Sequence, residues 1–329
     1  MTTAVANLTG ELPQEERAAV EAEEAYQRLL ARLSHQSVVK HFDAYADVPW
    51  DDPAFAIDPS DPRLELSAND ALGATAWYRA LPQPTRARIG LHMIATFARI
   101  GWQFESVLKR GLLEFALRLP ENAPEFRYVY HEVIEEAQHS LMFHEFVGRT
   151  GLKTRPPWIL GLGDRVVVSF ARRFPELFFF FVLAGEDPID HSQRELLNSG
   201  KELHPLIERI SRIHIIEEAR HIAFARHYLR RNVPKVRGLR LFILRLRTAI
   251  VMAIAARMMS RPSGHVVRSY GIPPEVLREA YGPGSKGAEH IKRALFKPRE
   301  LAWELGVLTE RWAPLWKKLG IYAPQGSPV

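Results

Sequence analysis

The sequence of 329 residues contains no cysteine. This absence excludes disulfide bonds, iron–sulfur clusters, thiolate zinc sites and cysteine nucleophiles. The chain also lacks the His-Glu-x-x-His motif of zinc proteases, the glycine fingerprint of dinucleotide-binding folds and a P-loop. A metal ion would therefore have to be bound by carboxylates and imidazoles, the ligands that suit iron, manganese or zinc.

Long uninterrupted hydrophobic segments are also missing. The most apolar run, residues 178–184, is too short to cross a bilayer, and the longer segment 239–259 is interrupted by arginines. Residues 1–12 are small and polar and lack the apolar core of a secretory signal. We therefore expect a cytoplasmic protein whose contact with membranes is peripheral at most.

Acidic residues are fewer than basic residues, so the formal net charge is +6 and the pI is about 9.5. The excess of basic residues is concentrated in one stretch, residues 226–247. No zinc finger, RNA-recognition signature or basic-zipper pattern accompanies this stretch. We interpret the stretch as a solvated helix face with helix-end cations and expect no nucleic-acid partner. Its members are Arg226, Arg230, Arg231, Lys235, Arg237, Arg240, Arg245 and Arg247.

Apolar residues recur at helical spacing along most of the chain, and no long segment alternates as a half-buried β-strand would. The composition, 47% hydrophobic and 25% charged, is that of a soluble globular protein. We therefore predict an all-α fold. The predicted helices span residues 13–36, 84–119, 124–150, 164–197, 203–231, 239–260, 272–281 and 286–318.

These segments predict one helical domain with an N-terminal extension. Residues 1–82 are assigned to a charged helix and a connecting segment rich in Pro and Asp, which we expect to pack on the bundle. Residues 83–322 are assigned to the metal-binding helical domain. Residues 323–329 contain Gly and Pro and are expected to form a flexible tail.

Glutamates and histidines form two half-sites, in which the residue types follow one another in the same order along the predicted helices. Each half-site has a glutamate on one helix, followed on the next helix by a Glu-x-x-His motif. The half-sites are Glu105 with Glu136 and His139, and Glu186 with Glu218 and His221. A four-helix bundle holds two metal ions between its inward faces with this set of ligands. His214, one turn before Glu218, is a seventh candidate.

The surroundings of the single glutamates distinguish them from surface carboxylates. Glu105 shares a helical face with Leu108 and other apolar residues, where a carboxylate is costly unless it is paired or bound to a metal. Glu186 follows the most apolar run of the chain and precedes Pro188. The alternative for Glu186 is a position in a surface turn, if the helix ends at Gly185.

Periodicity alone leaves open which glutamate of the second helix is the ligand. Glu132 lies on the same stripe as Glu136, and Glu135 is adjacent to it. The spacing of three residues to His139 favours Glu136, and we expect Glu132 to orient an imidazole N–H from outside the ligand set. One Glu-x-x-His is expected by chance in such a chain. Two of them, each with a partner glutamate on another helix, indicate a dinuclear site.

With His214 included, the pattern resembles the p-aminobenzoate N-oxygenase (AurF) family of di-iron enzymes. Members of that family carry an additional histidine one turn before the last Glu-x-x-His, and His214-x-x-x-Glu218-x-x-His221 is similar to that hallmark. The spacing from Glu105 through Glu186 and the total length also match. The resemblance implies a ferritin-like four-helix bundle with additional N- and C-terminal helices.

The resemblance further implies two iron ions, with manganese as the alternative metal, and an O2-dependent N-oxygenation. The substrate would be an aromatic or related amine, converted towards a hydroxylamine, nitroso or nitro product. Two external electrons are needed, so an electron-donating reductase or carrier is an implied partner, and a homodimer is expected. The implied ligands are Glu105, Glu136, His139, Glu186, His214, Glu218 and His221.

Two other functions remain open. A di-iron hydroxylase or desaturase of lipid or quinone substrates would use the basic, apolar stretch 226–259 as a membrane-facing surface. His214 argues against it, because ordinary six-ligand di-iron sites lack that residue. A non-catalytic metal-binding bundle would need no apolar substrate cavity, whereas Trp102 and Phe178–Phe181 suggest bulky residues near the metals. Core packing explains these aromatic residues equally well.

Overall fold

The computed structural model describes residues 14–155 and 158–327, and this part of the chain forms helices and loops without a β-strand. The predicted all-α fold is confirmed. Short 3-10 helices lie at Pro53–Phe55, Pro62–Leu64 and Val233–Lys235. The α-helices are α1 (Gln14–Val39), α2 (Ala76–Arg79), α3 (Gln83–Ala116), α4 (Glu125–Arg149), α5 (Trp158–Arg173), α6 (Pro175–Leu197), α7 (Pro205–Asn232), α8 (Gly238–Ser260), α9 (Gly264–Tyr270), α10 (Pro274–Tyr281), α11 (Lys286–Ala294), α12 (Phe296–Glu304) and α13 (Ala313–Lys318).

Four long helices, α3, α4, α6 and α7, form the bundle. α3 packs along α4 and α6 packs along α7, so the bundle consists of two helix pairs that are connected through α5. The short connection within each pair places its helices side by side. Of the additional helices, α1 packs against α4 and α7, and α8 packs against α6. This arrangement is the ferritin-like bundle with added terminal helices that the sequence predicts.

Prolines decide where several helices begin. Pro84, Pro175 and Pro205 lie in the first turns of α3, α6 and α7, where a backbone N–H has no helical acceptor. The single helix predicted for residues 164–197 is wrong, because the residue before a proline disfavours the helical conformation. Phe174 precedes Pro175 with φ −148° and ψ 66° and separates α5 from α6.

The C-terminal prediction of one helix over residues 286–318 is also wrong. The structure has three short helices there, α11, α12 and α13. Gly306 has a φ of +65°, a conformation that glycine adopts readily and that ends α12. The loop that follows turns the chain back, so the C-terminal helices pack against the bundle instead of extending away from it.

Two glycines allow α3 and α6 to approach closely. At Gly185 of α6, an added Cβ would lie 2.2 Å from Cζ of Phe104 on α3. At Gly111 of α3, an added Cβ would lie 2.2 Å from Cε2 of Phe178 on α6. Both distances are far below van der Waals contact, so the close packing of the two helix pairs depends on the missing side chains.

The most apolar run of the chain is part of this core. Phe178, Phe179 and Phe180 are fully buried, and the ring of Phe179 contacts aromatic side chains of both α3 and α7. Among the described residues, no helix has the length and apolar character that crossing a bilayer requires.

The basic stretch makes contacts within the chain. Arg226 of α7 pairs with Asp187 of α6. Arg230 donates to both carboxylate oxygens of Glu304 on α12, at 2.7 and 2.8 Å. These ion pairs connect α7 to its neighbours and agree with the interpretation of the stretch as helix-face and helix-end cations.

The two chain ends are described in part. Residues 1–13, which include the segment tested for a secretory signal, lie outside the described residues, as do residues 328–329. At the start of the predicted tail, Trp303 donates to the Ala323 carbonyl at 3.3 Å, and the N–H of Gly326 donates to Glu300 at 3.0 Å.

Candidate metal centre

The seven predicted residues lie inside the bundle, between its two helix pairs, and each is at most 1% exposed. α6 continues as a helix through Pro188, so the surface-turn alternative for Glu186 is wrong. α3 contributes Glu105, α4 contributes Glu136 and His139, α6 contributes Glu186, and α7 contributes His214, Glu218 and His221.

The oxygen and nitrogen atoms of six of these side chains, all except His221, converge in three overlapping groups. In each group, one ligand-type atom per residue lies within 4.8 Å of the others. The groups are Glu105 with His139 and His214, Glu136 with His139 and Glu218, and Glu186 with His214 and Glu218. Because three residues belong to two groups each, the groups share one interior space, as two neighbouring metal ions would require.

Glu136 and Glu218 lie between the two Glu-x-x-His histidines. Nδ1 of His221 is 3.1 Å from Oε1 of Glu136 and 3.2 Å from Oε1 of Glu218. Nδ1 of His139 is 3.3 Å from Oε1 of Glu218 and 3.7 Å from Oε2 of Glu136. Each carboxylate thus faces both imidazoles, so Glu136 and Glu218 would both be available to hold a metal beside either histidine.

His214 faces the same space from one turn earlier on α7. Its Nε2 is 3.7 Å from Oε1 of Glu105 and 3.6 Å from Oε1 of Glu218. Its ring lies 4.6 Å from the ring of His139, measured between centroids. The structure therefore brings the seventh candidate together with the other six.

Most of the converging atoms lack hydrogen bonds. Within residues 14–155 and 158–327, both oxygens of Glu136 and Glu186, Nδ1 of His139 and both nitrogens of His214 have no hydrogen-bond partner. Taking a carboxylate out of water costs several kcal/mol unless a partner or a cation compensates. Bound cations would satisfy all of these atoms, and the carboxylate–imidazole donor set suits iron or manganese. The residues therefore fit a dinuclear metal centre.

Two further glutamates hold the histidines from the opposite side. Nε2 of His139 donates to Glu217 at 2.8 Å, and Nε2 of His221 donates to Glu135 at 2.8 Å. Arg220 donates to Glu135 at 2.7 Å. These bonds place the proton on Nε2 of each imidazole and leave Nδ1, which faces the centre, free to bind a metal.

The expectation that Glu132 orients an imidazole is wrong. Glu132 is fully buried, and neither of its oxygens has a hydrogen-bond partner among the residues that the structure describes. Burial and the negative charges of Glu136 and Glu218 raise its pKa well above the usual value. Glu135, which lies beside the apolar stripe, has the orienting role instead.

The sequence carries a signal for the orienting glutamates that the Glu-x-x-His spacing does not include. Both half-sites read Glu-Glu-Ala-x-His, at residues 135–139 and 217–221. Consecutive side chains of a helix point about 100° apart, so the first glutamate of each doublet cannot face the same metal as the second. It instead reaches the histidine of the neighbouring helix.

The charges in the centre act strongly on one another. Burial, together with Glu218 and Glu136, raises the pKa of Glu186 well above its usual value. For Glu218, the imidazoles of His221 and His214 outweigh the effect of burial and lower the pKa well below the usual value. Positive charge is therefore favoured in this interior, as binding of metal cations requires.

A lysine and a serine support Glu105 from the interface of α3 and α4. Ser140 donates to Oε2 of Glu105 at 2.9 Å, and Lys109 donates to Ser140 and, at 2.9 Å, to the backbone carbonyl of Glu136. One oxygen of Glu105 is thereby fixed, and the other, Oε1, has no hydrogen bond to a described residue.

A cavity of about 900 Å³ approaches the centre. Phe143 lines it, and the ring of Phe143 lies 5.2 Å from that of His214, so this side chain contacts both the cavity and a candidate ligand. The inner lining is apolar, and the outer lining carries charged side chains. Inner members are Phe97, Ala98, Ile100, Phe143, Ile207 and Ile210, and outer members are Arg63, Glu65, Lys201, Arg261 and Lys286.

The aromatic residues that suggested a cavity in the sequence have other positions. Phe178 packs in the core, and Trp102 contacts His144 and Arg99. The cavity is lined by different aromatic residues, of which Phe143 lies nearest to the centre. Cavities of about 300–1,000 Å³ are typical of sites for small molecules, so the cavity has the size of a substrate site.

A four-helix bundle with two Glu and Glu-x-x-His half-sites in its interior defines the class of ferritin-like metal-binding proteins. Within that class, the chain belongs to the p-aminobenzoate N-oxygenase AurF family, which matches residues 23–306. The resemblance seen in the sequence is confirmed.

Mycobacterial proteins are also similar in sequence to this chain. Proteins from Mycobacterium tuberculosis and Mycobacterium bovis, each described as uncharacterized, are 36% identical to it over 297 residues. The alignment covers 89% of this chain and 86% of each relative. No solved structure matches the chain. Membership of this family indicates an oxygenase with a metal-binding helical interior.

Proposed function

We propose that the chain is a di-iron, O2-dependent monooxygenase that N-oxygenates an aromatic or related amine. The observation that carries the proposal is the position of His214, whose two unpartnered ring nitrogens lie in the same interior as the six other ligand candidates. In the proposed site, Glu105, Glu136, His139, Glu186, His214, Glu218 and His221 hold two iron ions, with manganese as the alternative metal.

The bound metals would supply O2 reduction, and the chain would supply the surroundings of that chemistry. Glu135 and Glu217 keep the two histidines in the tautomer that binds metal. Phe143 and the apolar inner lining exclude water from the reacting amine. The first step balances as R-NH2 + O2 + 2 e⁻ + 2 H⁺ → R-NHOH + H2O, and further turns lead towards nitroso and nitro products.

The electrons must come from outside the chain. The sequence contains no cysteine for an iron–sulfur cluster and no dinucleotide-binding fingerprint. We therefore include a separate reductase or small electron carrier in the proposal.

A homodimer is part of the same proposal. Phe126, Tyr130, Ile134 and Leu141 of α4 are each at least 40% exposed and follow one another at helical spacing. An apolar helix face of this kind is typical of a surface that a protein partner covers. Light scattering after size-exclusion chromatography should give twice the chain mass of 37.6 kDa, and a Phe126→Asp, Ile134→Asp double variant should shift it to the single mass.

The test combines metal content with the fate of oxygen. The iron-loaded protein is reduced chemically, mixed with 18O2 in a stopped-flow spectrometer, and then incubated with p-aminobenzoate and other anilines. We expect two irons per chain, a transient visible absorption and 18O on the amine nitrogen of the product.

Other results would point to the other functions. If 18O appears on carbon, or only lipid-like or quinone substrates react, the chain is a hydroxylase or desaturase. If the iron-loaded protein consumes no O2 with any substrate, the bundle stores or binds metal, and the enzyme proposal fails.

A further inference from the structure

A second cluster of metal-ligand residues lies outside the centre described above. His191 and Glu195 are one turn apart on α6, and His290 comes from α11, which packs against α6. One ligand-type atom from each residue lies within 4.8 Å of the others. None of the three belongs to the seven candidate ligands or to their hydrogen-bond partners.

Each imidazole of this cluster lies at a ligand-type distance from the carboxylate of Glu195. Nε2 of His191 is 3.3 Å from Oε1 of Glu195, and Nδ1 of His290 is 3.2 Å from Oε2 of Glu195. Ligands at about 2.0–2.2 Å from a tetrahedral zinc ion lie roughly 3.3–3.5 Å from one another. Nε2 of His191 is buried and has no hydrogen-bond partner among the described residues, so its contact with Glu195 lacks hydrogen-bond geometry.

A serine fixes the orientation of one imidazole. Ser192 Oγ lies 3.3 Å from Nε2 of His290. If the serine oxygen accepts the proton of Nε2, the lone pair of Nδ1 points towards Glu195. A hydrogen bond to the nitrogen that does not bind the metal is the usual support of a histidine ligand. Burial lowers the pKa of both His191 and His290, the direction that favours the neutral imidazole.

The cluster borders the cavity at its solvent end. Ser192, Glu195 and His290 line the cavity, and Glu195 is exposed. Three protein ligands with a fourth position open to solvent are typical of zinc sites that bind water or a small ligand. A cation here would also tie α11 to α6 at the cavity entrance.

Arg293 is the charge with which a cation must compete. Its Nε lies 3.5 Å from Oε1 of Glu195, and its side chain is 39% exposed. An exposed arginine can turn into solvent at little cost, because surface ion pairs contribute about 0–1 kcal/mol.

We propose that His191, Glu195 and His290 form a second metal site, which binds a zinc-type divalent cation at the cavity entrance. This site is independent of the proposed N-oxygenation.

The test uses the full chain with its centre saturated by iron. Zn²⁺ is titrated into this protein by calorimetry, and iron and zinc per chain are counted by mass spectrometry. We expect one zinc per chain beyond the two irons. The additional zinc should be lost in His290→Ala, His191→Ala and Glu195→Gln. Ser192→Ala should bind it about 10–100-fold more weakly, and Arg293→Gln about five- to tenfold more tightly.

Matched controls separate the site from adventitious binding. His227→Ala removes an exposed histidine of α7 and should leave the additional zinc in place. Glu195 is exposed, so Glu195→Gln should fold even where a histidine variant does not. X-ray absorption of the bound zinc should show two imidazole ligands. No zinc beyond the irons in the wild type, or an additional zinc that persists in both histidine variants, would overturn the proposal.

Discussion

Glu217 of α7 accepts a hydrogen bond from Nε2 of His139 on α4, at 2.8 Å, and its other oxygen accepts one from the N–H of Phe42, at 3.1 Å. The reciprocal bond joins His221 of α7 to Glu135 of α4. The glutamate beside each half-site therefore orients the histidine of the other half-site. The hydrogen bond from Phe42 also connects the loop after α1 to Glu217. The two half-sites consequently depend on each other structurally.

Replacing Glu217 by Gln should weaken metal binding, because glutamine has one acceptor oxygen where Glu217 uses two. Either His139 or Phe42 would then face an amide NH2. We expect the iron affinity to fall about 10–100-fold, measured by equilibrium dialysis with Fe²⁺. Glu24→Gln, on the exposed face of α1, is the control. Unchanged iron affinity in Glu217→Gln would mean that the bond has no role in positioning His139.

Replacing His214 by Ala tests the seventh ligand candidate. We expect the iron content to fall from two towards one per chain, because the three-residue groups that contain His214 lose a member. The optical spectrum after mixing with O2 should change as well. His227→Ala serves as the control on the same helix. Two irons per chain with unchanged spectra would remove His214 from the ligand set.

Replacing Gly185 by Ala tests the close packing of α3 and α6. The new Cβ would overlap the ring of Phe104, and overpacking of this kind typically costs about 1–3 kcal/mol. The free energy of unfolding, measured with urea, should fall by that amount. Gly148→Ala is the control, because at this exposed residue of α4 the Cβ position meets no described atom within 4 Å apart from its chain neighbours and the adjacent backbone of its own helix. It should be neutral or slightly stabilising.

Replacing Ala98 by Phe tests whether the cavity binds the substrate. Ala98 lines the inner part of the cavity and is 5% exposed. A phenyl ring there would fill the space next to Phe143, so binding of the amine should weaken by at least about tenfold, while two irons remain bound. Spectroscopic titration of the iron-loaded protein with the amine measures this binding. Ala18→Phe, on the exposed face of α1, is the control, and equal binding by both variants would place the substrate elsewhere.

Replacing Asp43 by Asn should reduce stability in a pH-dependent way. The backbone N–H groups of Tyr45 and Ala46 lower the pKa of Asp43 below its usual value of 3.8. A group whose folded-state pKa is lowered stabilises the protein above its unfolded pKa and loses this effect as the pH falls through the folded value. The stability difference between wild type and Asp43→Asn should be constant above about pH 5 and should shrink below pH 4. A difference that is undiminished at pH 2 would contradict this assignment.

The sequence by itself determined the helical fold and the spacing of the candidate ligands. Helical period and the two Glu-x-x-His motifs are local properties, since residues three or four apart share a helix face whatever the helix packs against. For this reason the order of residues along the chain is enough to pair Glu136 with His139, and Glu218 with His221. The break at Pro175 is also local and could have been predicted, because a proline disfavours the helical conformation of the residue before it.

Only the tertiary structure decided which side chains from different helices meet. The doublet marks Glu135 in the sequence, but only the packing of α4 against α7 shows that Glu135 reaches His221 and that Glu132 has no partner among the described residues. The cluster of His191, Glu195 and His290 is likewise absent from any motif, because α11 lies against α6 only after folding. Contacts between distant segments depend on how helices rotate and approach one another. The packing of α3 against α6 through Gly185 therefore helps to bring Glu105 and Glu186 to the same interior.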